Sequence, residues 1–183
     1  MQGVQLTIEK AIIFALKAHQ GQKRKGTNIP YVFHPIDVGR LLAQNDASET
    51  LVVSGILHDI LEDTEITIED LKAEFGNEVA GLVSAMTEPD KKKPWKERKT
   101  QTITHLRYYA DRDVKKLECA DKLSNITDIY NDLLKQGDKL WTKFNAGYAD
   151  QKWYYQELVK SLESLSENRM YIEFSEKVKQ VFR

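Results

Sequence analysis

The sequence predicts an all-α fold of roughly eight to ten helices, because apolar residues recur at helical spacing along nearly the whole chain. Two further observations agree. Strand-like alternation is almost absent, and the 183 residues contain only 9 Gly and 4 Pro. Taken in order, Ile8, Ile12, Leu16 and His19 line one stripe of a first helix. Residues 21–31 read as a basic, turn-rich loop. Pro35 suits the first turn of a second helix, where its missing N–H has no consequence, and that helix carries Ile36, Val38, Leu41 and Leu42. Residues 51–61 are apolar on nearly every side and read as a buried central helix. Thr67 and Asp70 form a capping-box pair opening a short helix through Phe75, which Gly76 ends. Val79, Leu82, Val83 and Met86 mark another amphipathic helix. A charged break over 89–94 precedes a polar helix over 95–109. Asp111 or Asp113 caps a long helix running to about Leu134. Residues 140–165 and 170–182 are again helical. With no internal repeat, low-complexity tract or linker, residues 1–183 are expected to form one domain.

Composition narrows the class. Lys and Arg total 27 against 28 Asp and Glu, a net charge of -1. That balance argues against a general nucleic-acid or membrane-surface binder. With 41% hydrophobic and 30% charged residues, the chain is neither disordered nor collagen-like. Cys119 is the single cysteine, so no intramolecular disulfide forms and a reducing compartment is expected. No apolar run reaches the roughly 18 residues a membrane span needs, and the first ten residues lack the shape of a signal peptide. A cytoplasmic protein is therefore expected, with a homo-oligomer left open.

The anomaly lies in the most apolar helix. Residues 53–64, Val-Ser-Gly-Ile-Leu-His-Asp-Ile-Leu-Glu-Asp-Thr, carry His58, Asp59, Glu62 and Asp63 where burial makes charge costly unless it is paired or bound to metal. His58 and Glu62 are four apart, as are Asp59 and Asp63, so each pair stacks on one side of the helix. The plain alternative, a polar helix end entering a loop, suits Glu62-Asp63-Thr64 but not His58-Asp59. Two further segments extend the pattern: His34 lies in Tyr-Val-Phe-His-Pro, and Asp121 in Leu-Glu-Cys-Ala-Asp-Lys-Leu-Ser-Asn, with Asn125 one turn beyond it. Two imidazoles and two carboxylates would leave coordination positions for water. Such a set suits Mn²⁺, Fe²⁺ or Zn²⁺ without choosing among them.

His34, His58-Asp59 and Asp121 resemble the signature of the HD metal-dependent phosphohydrolases. The wider stretches Arg24-Lys25, residues 30–35, residues 57–64 and residues 120–125 resemble the hydrolase domain of the RelA/SpoT homologues, of the stand-alone small alarmone hydrolase type. The resemblance is continuous from about Ala11 to Asn131. It implies a single HD-domain helical bundle. It also implies Mn²⁺ held by His34, His58, Asp59 and Asp121, with Glu62 and Asp63 orienting or deprotonating the attacking water and assisting the leaving oxygen. The implied reaction removes pyrophosphate from the 3′ position of (p)ppGpp, giving GDP or GTP. The chain is too short for the synthetase and regulatory domains of the long family members, so hydrolysis alone is expected.

For the guanine nucleotide, the resemblance implies contacts from Arg24 and Lys25 and a sugar or phosphate bond from Asn125. The run over 91–99 holds six basic residues in nine positions. It reads either as a solvated charge run or as a clamp for diphosphates, with Lys96, Arg98 and Lys99 as candidates. Glu88 stands where family members often have Lys, which sets a phosphate role there in doubt. Tyr154 resembles one of an aromatic pair in the small hydrolases and reads as a nucleotide contact or as packing. Cys119 reads as a small buried hydrophobe. Two competing functions remain. One is another HD enzyme, a nucleotide 5′-phosphatase or nucleotide pyrophosphohydrolase. The other is a non-catalytic nucleotide-binding module, which the presence of all four ligands and both acids disfavours.

Overall fold

The structure, a computed structural model, describes residues 7–88 and 92–183. The expectations for residues 1–6 and for 89–91, including Lys91 of the basic run, lie outside the described residues. These residues are all-α, with no strand among them and one isolated antiparallel bridge between Lys23 and Pro30. They cluster into two compact units, one ending at Thr87 and the other beginning at Glu88.

The first unit runs α1 (Ile8–Ala18), α2 (Phe33–Ala43), α3 (Glu49–Leu57), α4 (Ile60–Asp63) and α5 (Ile68–Met86). Its helices start where side chains can satisfy the unpaired first amides. Thr7 accepts from the Lys10 amide at 3.1 Å, and Ser48 from the Leu51 amide at 3.3 Å. The expected capping box forms in full: Thr67 Oγ1 accepts the Asp70 amide at 3.2 Å and Asp70 Oδ2 accepts the Thr67 amide at 2.9 Å. α5 is kinked at Gly76, whose φ of 84° is left-handed, so the expected stop at that glycine is a break between two helical stretches.

Two expectations are corrected. The buried stripe of α1 is Ala11, Ala15 and the capping His19, while Leu16 is 47% exposed. Small residues on that face let α1 lie against α3, and Phe14 meets Phe75 edge-on with ring centroids 5.2 Å apart. The central helix also stops at Leu57 rather than running through residue 61. His58 Nδ1 lies 2.8 Å from the Gly55 carbonyl, the acceptor a continuing helix would offer to the amide of Asp59. Asp59 then takes φ -92° and ψ -2° and starts α4.

α2 and α3 pack at unusually close range because two glycines meet there. A Cβ at Gly55 would stand 2.5 Å from Leu42 Cδ1, and one at Gly39 would run into Ile56. Around this contact Val38, Leu42, Val53, Ile56 and Leu57 are almost completely buried.

The second unit holds α6 (Trp95–Tyr108), α7 (Arg112–Gln136), a 3-10 turn over Gly137–Lys143, α8 (Tyr148–Ser161), a second 3-10 turn over Glu163–Leu165, and α9 (Arg169–Val181). Asp111 caps α7, accepting from the Val114 amide at 2.8 Å, and Gly137 ends it at φ 59°. The stretch expected to be helical over 140–165 is thus interrupted twice. α7 packs on α9 and α6 on α8, with Leu117, Ile126, Leu158 and Phe174 fully buried. No helix among the described residues is long and apolar enough to cross a membrane.

The glycine contact yields a prediction. Gly55→Ala should destabilise the protein by about 1–3 kcal/mol in chemical denaturation, through overpacking against Leu42 and Val38. An unchanged midpoint would mean that α2 and α3 separate freely.

Candidate functional site

Each half of the expected site is built within one unit. In the first, α2 carries His34 in its opening turn and α3 delivers His58 at its end; the rings are 4% and 2% exposed and their centroids lie 5.2 Å apart. Their ligand nitrogens fall within 4.8 Å of one another. Asp59 Oδ2 stands 3.0 Å from His58 Nε2 and 3.6 Å from His34 Nε2. Two imidazole nitrogens and a carboxylate oxygen therefore converge. Because the Gly55 carbonyl can only accept, His58 Nδ1 carries the proton in that bond and Nε2 is the nitrogen left for a ligand. This N/O set fits a first-row divalent cation.

Tyr31, outside the expected set, and the expected Arg24 complete this corner. Tyr31 donates its hydroxyl to Asp59 Oδ2 at 2.5 Å. The half-buried Arg24 guanidinium lies 6.0 Å from the centroid of the same Tyr31 ring. The loop bearing Arg24 is ordered by main-chain bonds, from the Arg24 amide to the Ile29 carbonyl at 2.9 Å and from the Tyr31 amide to the Gln22 carbonyl at 3.0 Å. Lys25 sits exposed on the same loop. Glu62 and Asp63 belong to α4, whose amides return to the Asp59 carbonyl at 3.1 and 3.0 Å. Both acids line an open cavity of about 730 Å³ with Gln22 and Thr64.

In the second unit Asp121 is buried on α7, and both of its oxygens are held. Asn125 Nδ2 donates to Oδ1 at 2.6 Å and Lys122 Nζ to Oδ2 at 2.5 Å. Asn125 is thus a partner of Asp121, whatever else it contacts. Lys122 also stands 3.4 Å from the buried Glu118. Burial opposes its charge, yet Asp121 and Glu118 outweigh that and hold the ammonium pKa well above the usual lysine value.

The basic residues of α6 are also engaged. Arg98 and Lys99 both pair with Glu88, Lys99 at 2.5 Å. Burial would raise the Glu88 carboxyl, but Lys99 and Arg98 overcome it and keep its pKa below the usual value. Lys96 lies over the Trp153 ring at 3.2 Å. Tyr154 is 4% exposed, 5.8 Å from Trp95 between ring centroids, with the Lys99 ammonium 5.1 Å from its ring. Cys119 is fully buried, and burial pushes its thiol pKa up, which disfavours the thiolate. Sequence reading missed Gln22, Tyr31, Glu118 and Lys122 as parts of these clusters. Their signal is adjacency to the motifs alone.

Residues 11–148 match the HD domain family, and the chain belongs to it. Among its relatives is a guanosine-3′,5′-bis(diphosphate) 3′-pyrophosphohydrolase, MESH1, of Danio rerio. It is 35% identical over 123 residues, 66% of this chain and 67% of that protein. A GTP pyrophosphokinase of Myxococcus xanthus is 44% identical over 84 residues, 46% of this chain. The chain spans only 11% of that relative's length, and 14% of a similar enzyme of Streptomyces coelicolor. A solved structure from Listeria monocytogenes EGD-e superposes with a TM-score of 0.76 at 39% identity, over 81% of this chain and 98% of its own. A metazoan ortholog of SpoT described as hydrolysing ppGpp superposes with the same score at 27% identity, over 94% and 93%. An HD domain implies a divalent metal, and within the first unit the buried His34 and His58 are donors able to hold one.

The Tyr31 bond can be tested on metal affinity directly. Tyr31→Phe should fold normally and bind Mn²⁺ about tenfold more weakly in calorimetric titration, the lower end of what removing an outer partner of a ligand costs. Unchanged affinity would mean that Tyr31 does not orient Asp59.

Proposed function

We propose that residues 1–183 act as one cytoplasmic HD phosphohydrolase domain that hydrolyses the 3′-pyrophosphate of (p)ppGpp, giving GDP or GTP and pyrophosphate. The observation that carries this reading is the convergence of His34, His58 and Asp59, with two further acids, Glu62 and Asp63, one turn beyond. The likeness to the MESH1 pyrophosphohydrolases supports the substrate.

In this reading Asp121 joins His34, His58 and Asp59 as the ligands of one Mn²⁺, with Fe²⁺ or Zn²⁺ compatible with the same donors. When bound, such an ion lowers the pKa of water and polarises a phosphoryl oxygen. The chain's own groups do the rest. Glu62 or Asp63 accepts the proton of the water attacking the phosphorus bonded to O3′, and the second acid supplies a proton to O3′ as the O3′–P bond breaks. Asp121 keeps one geometry because Asn125 and Lys122 hold its two oxygens. Arg24 faces the base, a role its planar guanidinium beside the Tyr31 ring suits. Lys25, Asn125, Lys96, Arg98 and Lys99 serve the sugar and the diphosphates. Tyr154, buried beneath Lys99, contributes by placing that ammonium.

One observation favours a second reading. Glu88 already engages Arg98 and Lys99, which suits a substrate with fewer phosphates, as for another HD nucleotide phosphohydrolase. The deciding experiment uses metal-depleted protein reloaded with Mn²⁺ and offered ppGpp, pppGpp and a panel of nucleotides, with products identified. Pyrophosphate and GDP from ppGpp are expected. Inorganic phosphate from nucleoside monophosphates, with ppGpp untouched, would replace this reading by the second. Glu62→Gln should retain Mn²⁺ affinity and lose about a hundredfold or more in kcat, the scale of general-base catalysis. A near-normal kcat would remove Glu62 from the chemistry.

A further inference from the structure

α4 has four residues, fewer than a helix needs to sustain itself, because its last carbonyls find no partner within the helix. Its C-terminal end is nevertheless tied down by side chains. Thr64 Oγ1 donates to the Ile60 carbonyl at 2.7 Å. Gln22 Nε2 donates to the Asp63 carbonyl at 2.6 Å, from 41 residues earlier in the chain.

The other end of the Gln22 amide is fixed as well. Its Oε1 lies 2.8 Å from Nδ1 of His19, a ring only 3% exposed. The Asp63 carbonyl can only accept, so it must face the amide NH₂. Oε1 therefore faces His19, and His19 Nδ1 is the protonated nitrogen. His19 is itself packed beside the Tyr31 ring, with centroids 5.1 Å apart. His19 Nε2, buried and without a hydrogen-bond partner among the described residues, makes no competing bond that would turn the ring.

We propose that Gln22, oriented by buried His19, is a positioning residue that holds the Glu62-Asp63 turn in register for the reaction. This deepens the hydrolase reading and rests on it for the roles of Glu62 and Asp63. Gln22 caps the helix that carries both acids and lines the same cavity as they do. It is not a ligand of the metal and touches no reacting atom. Its effect is therefore expected on turnover rather than on metal or substrate affinity, since a displacement near 1 Å of a reacting group costs about a hundredfold in rate.

The test compares the full chain with Gln22→Met, a side chain of similar length that neither donates to Asp63 nor accepts from His19. The variant should stay folded at the assay temperature and match the parent in Mn²⁺ affinity and in KM for ppGpp, with kcat reduced about tenfold or more. Amide hydrogen exchange at Glu62 and Asp63 should speed by a similar factor, while exchange in α3 stays unchanged. Nitrogen NMR of the parent should find the His19 proton on Nδ1. A kcat within twofold of the parent, unaltered exchange at Glu62 and Asp63, or a His19 proton on Nε2 would each overturn the proposal. If the parent releases no pyrophosphate from ppGpp, the substrate assignment fails, and the exchange and tautomer measurements alone decide whether Gln22 holds the turn.

Discussion

The first unit depends on one constraint: an imidazole and a carboxylate set side by side at the end of its most apolar helix. His58 is almost completely buried, flanked by Leu57 and Ile60 that are fully so. Polar groups in such a place are tolerated only when each finds a partner. The His58 ring finds the Gly55 carbonyl, and Asp59 finds the Tyr31 hydroxyl. Satisfying those groups is also what ends α3. The same bonds aim Nε2 of His58 and Oδ2 of Asp59 toward each other, so the cost of burial and the geometry of the site share one cause.

That arrangement requires α2 to come close to α3, since His34 rides on the first and His58 ends the second. Gly39 and Gly55 make the approach possible, and a methyl group at either would press on Ile56 or Leu42. The second unit meets a similar demand with charge. Asp121 and Glu118 are buried acids on one helix, and Lys122 lies between them. A buried carboxylate without such a neighbour would tend to take up a proton, as burial disfavours its charged form. Lys122 and Asn125 each donate to one oxygen of Asp121 and fix its orientation.

Features governed by local chemistry were legible in the sequence. The Thr67–Asp70 capping box, the Asp111 cap and the break at Gly76 each follow from residues within a few positions of one another. His58 and Asp59 stood out because their types conflict with their apolar surroundings, whereas His34 and Asp121 stood out only as members of an ordered pattern with that pair. What stayed hidden depends on contacts between distant residues. Nothing near Leu57 marks a helix end, since neither Gly nor Pro follows it; the break comes from a side chain competing for a backbone acceptor. Leu16 looked like core and Ala11 did not, because periodicity weighs hydrophobicity and cannot see that close packing against α3 selects the smaller face. Glu88 read as a departure from a family pattern, and only the fold pairs it with Arg98 and Lys99.

Within the second unit, that pairing bears on how anions would be selected. An exposed ion pair contributes little, but the Glu88 carboxylate is only 13% exposed and meets two cations, so its attraction is less screened than at the surface. On the proposed assignment, a phosphate group reaching Arg98 and Lys99 must displace this carboxylate. The net gain is then a difference between two charge-assisted bonds rather than the full strength of one. On that assignment Glu88 opposes every anion that approaches Arg98 and Lys99, so what binds there is decided by how well it replaces a carboxylate already in place.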